Sequence, residues 1–322
     1  MIPRRLLLAA PALLGAPLPG RAQAAFPQRQ IRIVVPFTPG GSPDVVARLL
    51  AEEMGRRWHL GAVAENRAGA GGNLGAEAVA RSAPDGHTLL LMSNNIVAVN
   101  PHIGRRPFDP LTDRVPVALL ARSPLVIVVN PEQPVNDLAG LIATARAQPG
   151  AVTYASAGNG SPHHLAMALL AQMTGVTMTH VPYRGTAPAL TDVVGGRVMA
   201  MATPYGTALP MISDRRVRPL AAAGARRLPG MPDLPTVAEA GVPGYETDTW
   251  LSLVAPRGTP TAVIAALEAV ALETMALPRT RETLDRQGIE LDAAGAAALG
   301  DLMRRDHARW GAVIRTAGIR EE

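Results

Sequence analysis

The chain has 322 residues, of which 48% are hydrophobic and 18% charged, a composition typical of a globular protein long enough for two domains. It has no cysteine and all 31 basic residues are arginine, which excludes disulfides, thiolate chemistry, zinc–thiolate sites, a Walker A lysine and a Schiff-base lysine. The formal net charge of +5 falls by three, to +2, without Arg4, Arg5 and Arg21, and so small a charge does not indicate nucleic-acid binding.

Residues 1–24 are predicted to be a secretory signal peptide. Arg4-Arg5 forms the basic region, Leu6–Leu18 the apolar segment and Ala22-Gln23-Ala24 the cleavage pattern. The apolar segment is too short to span a bilayer, and the competing interpretation is an apolar helix packed on the domain. Whether the arginine pair acts as a twin-arginine signal is left open. We expect export, with cleavage near Ala24.

The first unit of the mature chain is predicted to be a buried strand, a tight loop and a helix start. The β-branched run Ile31–Val35 favours a strand covered on both faces, and Pro39-Gly40-Gly41 ends it. Ser42 suits the N-cap of the next helix and Pro43 its first position, so unpaired N–H groups and the positive end of the helix dipole should face the loop. Such a loop binds an anion, either phosphate or carboxylate, and Asp44 is predicted to complement the dipole or to orient the ligand.

Strand-like and helix-like stretches alternate along the rest of the chain, which indicates an α/β architecture with mainly parallel sheets. Polar or Gly-rich loops follow several of the strands, and ligands bind at that edge of open α/β sheets. At Ser161-Pro162 the chain repeats the Ser-Pro helix start. Further strands are predicted at Ala62–Glu65, Leu89–Met92, Val117–Leu120, Leu125–Val129, Val152–Ala155, Thr179–Val181, Val198–Ala202 and Thr249–Ala255, and three helices after residue 262.

Two such units indicate a ligand enclosed between two lobes, each a mainly parallel sheet flanked by helices. The crossovers between the lobes are predicted around Ser123 and around Trp250. Domain 1 would then comprise residues 25–122 and 251–322, and domain 2 residues 123–250.

Two motifs that suggest a cofactor or a metal fail on closer reading. Gly69 and Gly71 match the start of a dinucleotide fingerprint, but Leu74 occupies the third glycine position, which disfavours a nicotinamide or flavin. The adjacent pair His163-His164 cannot share a metal as an i, i+4 pair can. No cofactor or metal is predicted, and each histidine is left as either a ligand donor or a cap of the helix turn.

Other residues bear on whether the site reacts with its ligand or only binds it. The segment around Ser156 lacks the first glycine of the hydrolase elbow, and no convincing triad follows it, so a serine hydrolase is disfavoured. Arg184 could offer a guanidinium to a carboxylate or form a surface ion pair, and the sequence alone does not decide. With no paired acids and no phosphate lysine, the site is predicted to hold a ligand without transforming it.

Five segments together resemble the periplasmic receptors of tripartite tricarboxylate transporters, the Bordetella uptake gene (Bug) family. They are Ile33–Asp44, Glu65–Asn73, Tyr154–Leu165, Val181–Gly185 and Pro235–Gly241. The resemblance implies a two-lobed Venus-flytrap fold of the periplasmic-binding-protein type, with a small carboxylate held in the cleft. It also implies the membrane subunits of such a transporter as partners and the periplasm as location, and we expect a monomer that binds no nucleic acid.

The resemblance, together with the loops described above, defines the predicted ligand contacts. Thr203-Pro204-Tyr205 departs from the Asp-Pro version common in the family, so a ligand without a positive group is favoured. The alternatives kept open are a ligand-sensing receptor for a membrane kinase and a periplasmic serine hydrolase. The predicted contacts are Phe37, Thr38, Pro39, Gly40, Gly41, Ser42, Asp44, Gly71, Ser93, Ser156, Ala157, Gly158, Asn159, His163, Tyr183, Arg184, Gly185, Thr186, Pro204 and Tyr205.

Overall fold

The computed structural model describes residues 26–104 and 108–317, so the predicted signal peptide lies outside the described residues. The strands are β1 (Ile31–Val35), β2 (Ala62–Asn66), β3 (Thr88–Ser93), β4 (Arg114–Val129), β5 (Thr153–Ser156), β6 (Thr179–Pro182), β7 (Ala200–Pro204), β8 (Arg218–Ala222), β9 (Asp248–Pro256) and β10 (Glu290–Gly295). The helices are α1 (Ser42–Trp58), α2 (Asn73–Ala80), α3 (Asn95–Ala98), α4 (Asn100–Ile103), α5 (Leu138–Ala147), α6 (Pro162–Thr174), α7 (Thr186–Val194), α8 (Tyr205–Ser213), α9 (Thr261–Ala276), α10 (Pro278–Arg286) and α11 (Ala296–Ala317).

The strands follow the order β2-β1-β3-β9-β4-β7-β5-β6, and β8 and β10 pair with β4 beside this path. At the two ends of the order the strands are parallel: β1 pairs with β2 and β3, and β5 pairs with β6 and β7. Every pair that involves β4 or β9 is antiparallel. Helices pack against the strands, which confirms the predicted α/β class.

Strand β4 joins the two lobes. Its first part pairs with β9 and β10 of the first lobe, and its last five residues, Leu125–Val129, pair with β7 and β8 of the second. Strand β9 runs beside it, with Ser123 opposite Thr249 and Arg122 opposite Trp250. The expected apolar runs on either side of Ser123 thus form one continuous strand. The domain boundaries at residues 122 and 250 stay a prediction, and both fall within these two strands.

The C-terminal helix α11 packs on a core that extends under both lobes. Its residues Leu299, Met303, Trp310 and Ile314 belong to one buried cluster with Leu125 of β4 and with side chains of α5 and α6. These residues are spaced by four and seven positions, which places them on one face of the helix. Within the described residues no single helix has the length and apolar character of a membrane span, and only the bent pair α9–α10, with an angle of 68° between the two, meets that test jointly.

Candidate functional site

The first-lobe loop after β1 leads directly into the N-terminus of α1. Gly41 is the N-cap residue, its carbonyl accepts the N–H groups of Asp44 and Val45 at 2.9 and 3.1 Å, and Pro43 lies in the first turn. The prediction of Ser42 as the N-cap is wrong. Ser42 is already helical, and its Oγ lies 3.0 Å from the Oγ of Ser123 on β4 instead of turning back to the helix N–H groups.

Two backbone N–H groups of this loop are free to donate to a ligand. Among the described residues no acceptor is found for Gly41 N–H or Ser42 N–H. Both groups lie at the positive end of the α1 dipole, where unpaired donors bind carboxylates and other anions. Thr38, Pro39 and Gly40 are exposed, and Phe37 and Gly41 are half-buried, so the loop is open to a ligand on one side.

Asp44 organises this loop from within. Its buried carboxylate accepts Gly40 N–H, Arg48 Nε and Asn66 Nδ2, each at 3.0 Å. Burial alone would raise the pKa of Asp44, but the hydrogen bonds from Arg48, Gly40 and Asn66 outweigh it and lower the pKa below its usual value. The carboxylate is therefore ionised and its lone pairs are occupied by protein donors. Asp44 shapes the loop, which fits the predicted orienting role better than direct ligand contact.

The neighbouring first-lobe loops meet at the same edge of the sheet. Asn66 Nδ2 also donates to the Phe37 carbonyl at 3.1 Å, and Phe37 packs against Gly72, where a Cβ would come within 3.3 Å of its ring. The Gly71 carbonyl accepts from Asn95 Nδ2 at 2.7 Å, and the buried Ser93 Oγ donates to Asn95 Oδ1 at 2.8 Å. The structure thus brings the loops of Phe37, Gly71 and Ser93 together, although the side chain of Ser93 is bonded inward.

In the second lobe, the loop from Ser156 to Ser161 connects β5 to α6. Ser156 is fully buried, and its Oγ accepts Gly158 N–H at 3.0 Å and lies 2.7 Å from His180 Nε2. Ser161 caps α6 as predicted, accepting His164 N–H at 3.4 Å, with Pro162 in the first turn. Ala157, Gly158 and Asn159 remain half-exposed at the head of this loop.

Stacked rings lie under this loop. His164 and His180 stack with ring centroids 3.9 Å apart and an interplanar angle of 7°, and the Tyr154 ring stacks on His180 at 5.0 Å. Gly160 N–H donates to His164 Nδ1 at 3.1 Å, which requires that nitrogen to be unprotonated. Burial, together with the neighbouring His180, lowers the pKa of His164 to about 3. The neutral ring is thus part of the loop's support.

The remaining predicted contacts of the second lobe differ in exposure and in hydrogen bonding. His163 Nε2 lies 3.3 Å from Thr186 Oγ1, and burial lowers the pKa of His163 to about 4. Tyr183 donates its hydroxyl to Asp192 at 2.6 Å, and burial and this bond raise its pKa to about 12. Arg184 is exposed and has no ion pair within the described part of the chain, so of its two alternatives the surface ion pair is not seen there. Gly185 precedes α7 as its N-cap.

Pro204 and Tyr205 stand at the start of α8. Pro204 is half-buried, whereas the Tyr205 ring is buried against Gly230 and Gly288 in the core cluster of α7 and α8. That packing occupies the ring, so the structure gives no support to a role of the Tyr205 side chain in lining the ligand site.

The two lobes approach each other at these loops. A Cβ on Gly160 would lie 2.3 Å from Ile103 Cδ1 of α4, so the second-lobe loop rests directly on the first lobe. A small cavity lies beside this contact, with room for about one water molecule. It is lined by Asn94, Asn95, Val99, Leu125, Pro162, Leu165, Thr247 and Trp310. The two lobes are therefore in contact at these loops.

Several residues of this site were missed from the sequence. Asn66 and Arg48 hold Asp44, Asn95 holds the Gly71 loop, and His180 supports Ser156. Asn66 carried a signal, because it directly follows a predicted strand. In the part of the chain that the structure covers, no group of three or more His, Asp or Glu side chains is placed to hold a metal ion.

Comparison with known proteins places the chain among transporter receptors. The family model described as "Tripartite tricarboxylate transporter family receptor" (TctC) matches residues 46–319. Protein BugT of Bordetella pertussis is 35% identical over 300 residues, covering 92% of this chain and 91% of BugT.

Two solved structures extend the comparison to bound ligands. R. palustris Rpa4515 with adipate has 38% identity and a TM-score of 0.86, and covers 92% of this chain and 99% of that one. MatC from Rhodopseudomonas palustris with bound malate has 34% identity and a TM-score of 0.82, covering 90% of this chain and all of MatC. These likenesses confirm the expected two-lobed periplasmic-binding-protein fold and the resemblance drawn from the sequence. The chain belongs to the TctC family of tripartite tricarboxylate transporter receptors, which includes the Bug proteins.

Proposed function

We propose that this protein is a periplasmic receptor that captures a small carboxylate between its lobes and delivers it to the membrane subunits of a tripartite transporter. The observation that carries the proposal is the pair of unengaged N–H groups, Gly41 and Ser42, at the N-terminus of α1. Adipate and malate, the ligands in the two related structures, are both dicarboxylates. The second-lobe loop from Ser156 to Asn159 and the segment from Tyr183 to Thr186 would close over the bound anion.

The lining favours a ligand without an ammonium group. The family resemblance implies that an acid is common at the position of Thr203. Thr203 is buried, and its hydroxyl has no partner among the described residues. A neutral hydroxyl cannot balance a buried positive charge, whereas the loop donors suit a carboxylate. The predicted ligand contacts of both lobes belong to this proposal, except the side chains of Asp44, Ser93 and Tyr205, which the protein itself engages.

The geometry around Ser156 disfavours the alternative of a serine hydrolase. Ser156 and His180 lie within hydrogen-bond distance, as a nucleophile and its base would, but the hydroxyl of Ser156 also binds its own loop and the residue has no exposed surface. That oxygen is engaged within its own loop and is not directed at a ligand. The pair serves the loop's conformation.

Isothermal titration of the mature protein with adipate, malate, monocarboxylates, tricarboxylates and amino acids tests the function. We expect binding of at least one carboxylate, and Ser42→Glu should weaken it at least 100-fold because a second carboxylate would occupy the helix N-terminus. Ser213→Glu, at the exposed far end of α8, is the control and should bind normally. Unchanged affinity in Ser42→Glu would show that the anion binds elsewhere.

Export and delivery need separate measurements. N-terminal sequencing of the protein recovered from the periplasm should begin near Ala25, and a start at Met1 would contradict a cleaved signal. Co-purification with the transporter subunits, rather than with a sensor kinase, would support delivery. Light scattering should give the mass of one chain.

A further inference from the structure

A cluster of three hydroxyl groups lies where the two lobes join. Ser123 on β4 and Thr249 on β9 are direct partners in an antiparallel register that has no shift between residues 121 and 124. Directly opposed residues project from the same face of a sheet. Ser123 Oγ lies 3.0 Å from Ser42 Oγ, so that face is the one covered by the N-terminus of α1. We call Ser42, Ser123 and Thr249 the crossover hydroxyl cluster.

The cluster has hydroxyl protons to spare. Thr249 Oγ1 is buried and has no hydrogen-bond partner among the described residues, and the residue is only 8% exposed. Ser42 and Ser123 share one hydrogen bond, in which one hydroxyl donates and the other keeps its proton. Two O–H donors are therefore available next to the free N–H groups of Gly41 and Ser42.

Two charged side chains near the cluster that the structure describes, Asp44 and Arg122, are engaged elsewhere. Asp44, one turn into α1, is engaged by Arg48, Asn66 and Gly40. Arg122 precedes Ser123 in the strand, projects to the other face, and pairs with Asp292 at 2.5 Å. The cluster thus presents neutral donors, and a buried hydroxyl without a partner is stabilised by any acceptor oxygen brought to it.

We propose that Ser123 and Thr249 form the floor of the ligand site and donate hydrogen bonds to the carboxylate that binds at the N-terminus of α1. The inference rests on the proposed function and deepens it, because neither residue is among the contacts predicted from the sequence. The ligand carboxylate is then held from two directions, by backbone N–H groups of the first lobe and by hydroxyls of the strands that join the lobes. The ligand is then in direct contact with the two strands that join the lobes.

Titration calorimetry with adipate and malate tests this on Ser123→Ala and Thr249→Val. Each should bind the carboxylate at least 10-fold more weakly than the wild type, equivalent to about 1.4 kcal/mol. Thr249→Ser keeps the hydroxyl and should bind within about threefold of the wild type. Without ligand, Thr249→Val should melt at no lower a temperature than the wild type, because the hydroxyl that it removes makes no hydrogen bond. A purely structural residue would not combine an unchanged melting temperature with weaker binding.

Thr280→Val is the matched control, since Thr280 in α10 also has a buried hydroxyl with no partner within the described residues but lies outside the loops of the site. It should leave affinity unchanged. If Ser123→Ala and Thr249→Val bind normally while Ser42→Glu does not, the floor is wrong and the receptor function stands. If the wild type binds neither these probes nor any other carboxylate, both proposals are overturned.

Discussion

At the scale of single residues, Asp44 shows how a charge can serve a binding site without contacting the ligand. Its carboxylate accepts Gly40 N–H from the loop, Asn66 Nδ2 from the end of β2 and Arg48 Nε from the next turn of α1. These bonds fix the loop in one conformation before a ligand arrives. Within this loop the carboxylate of Asp44 accepts the N–H of Gly40 only. The N–H groups of the adjacent Gly41 and Ser42 therefore remain free to donate to a ligand.

Asp44→Asn should lower the free energy of unfolding by about 2 kcal/mol at pH 7, because an amide group would face donors where the carboxylate accepted them. The lowered pKa of Asp44 means that its stabilisation is complete above its unfolded pKa near 3.9 and is lost as the pH falls through the lower folded value. Urea unfolding from pH 3 to pH 7 measures both effects. Asp301→Asn, whose partner Arg304 is exposed, is the control and should change stability by less than about 0.5 kcal/mol. An equal loss in both variants would contradict the role of Asp44.

The buried histidines under the second-lobe loop predict acid sensitivity. Their folded pKa values, about 4 for His163 and about 3 for His164, lie below the usual 6.5 because burial disfavours the charged rings. The unfolded chain then binds more protons, so stability is complete above pH 6.5 and falls as the pH drops toward 4, by about 2 kcal/mol per histidine at pH 5.

Thermal unfolding between pH 7 and pH 5 checks this. His164→Asn keeps an acceptor for Gly160 N–H but cannot titrate, so it should reduce the pH dependence by about half. His59→Asn, at the exposed end of α1, should retain the wild-type dependence. A His164→Asn protein with the full acid sensitivity would assign that sensitivity to other groups.

At the scale of elements, the two helix starts that look alike in the sequence are built differently. Ser161 caps α6 with its side chain, whereas α1 has Gly41 at its N-cap and no side-chain cap, and Ser42 bonds to Ser123. The capping rule depends on the local sequence and succeeds at α6. At α1 it fails because Ser123, 81 residues further along, competes for the same hydroxyl.

Whether an element is determined by local sequence or by a distant partner also explains which other elements the sequence predicts. Strand β1, the apolar face of α11 and the loops after β1 and β5 follow from local patterns of burial and turn residues. Strand β10 does not, because Glu290–Gly295 has only half-exposed or exposed residues and owes its conformation to pairing with β4. His180 could not be assigned to the site, because its contact with Ser156 arises from the parallel pairing of β5 and β6.

Helix caps give an element-scale prediction with an internal control. Ser161→Ala and Asp137→Ala each remove a side chain that accepts a backbone N–H at a helix N-terminus, so each should lower the free energy of unfolding by about 1 kcal/mol. Only Ser161 adjoins the second-lobe loop, so only Ser161→Ala should also weaken carboxylate binding. Urea unfolding and calorimetry on both variants separate the two effects. Equal affinities would place the α6 start outside the site.

At the scale of the whole molecule, the lobes are connected by more than their two shared strands. Helix α11 bonds to the junction and to the first lobe: Trp250 Nε1 of β9 donates to Asp306 at 2.6 Å, and His307 Nδ1 lies 2.7 Å from the Val97 carbonyl of α3. A continuous apolar core therefore runs beside the strands that join the lobes. The contact of Gly160 with Ile103 joins the lobes beside the same core, because Ile103 and Trp310 of α11 belong to one buried cluster.

That contact predicts a change in closure that is separable from a change in stability. Gly160 has φ +70° and no room for a Cβ beside Ile103, whereas Gly175 has φ +65° and open space around it. Both Gly160→Ala and Gly175→Ala should lower the free energy of unfolding by about 1 kcal/mol through backbone strain. Gly160→Ala alone should also weaken carboxylate binding and keep the radius of gyration at its unliganded value in small-angle scattering when carboxylate is added. Adding Ile103→Ala to Gly160→Ala should restore part of the affinity, because it makes room for the new methyl group. If the double variant binds no better than Gly160→Ala, then the conformation of the loop itself, and not the contact between the lobes, controls binding.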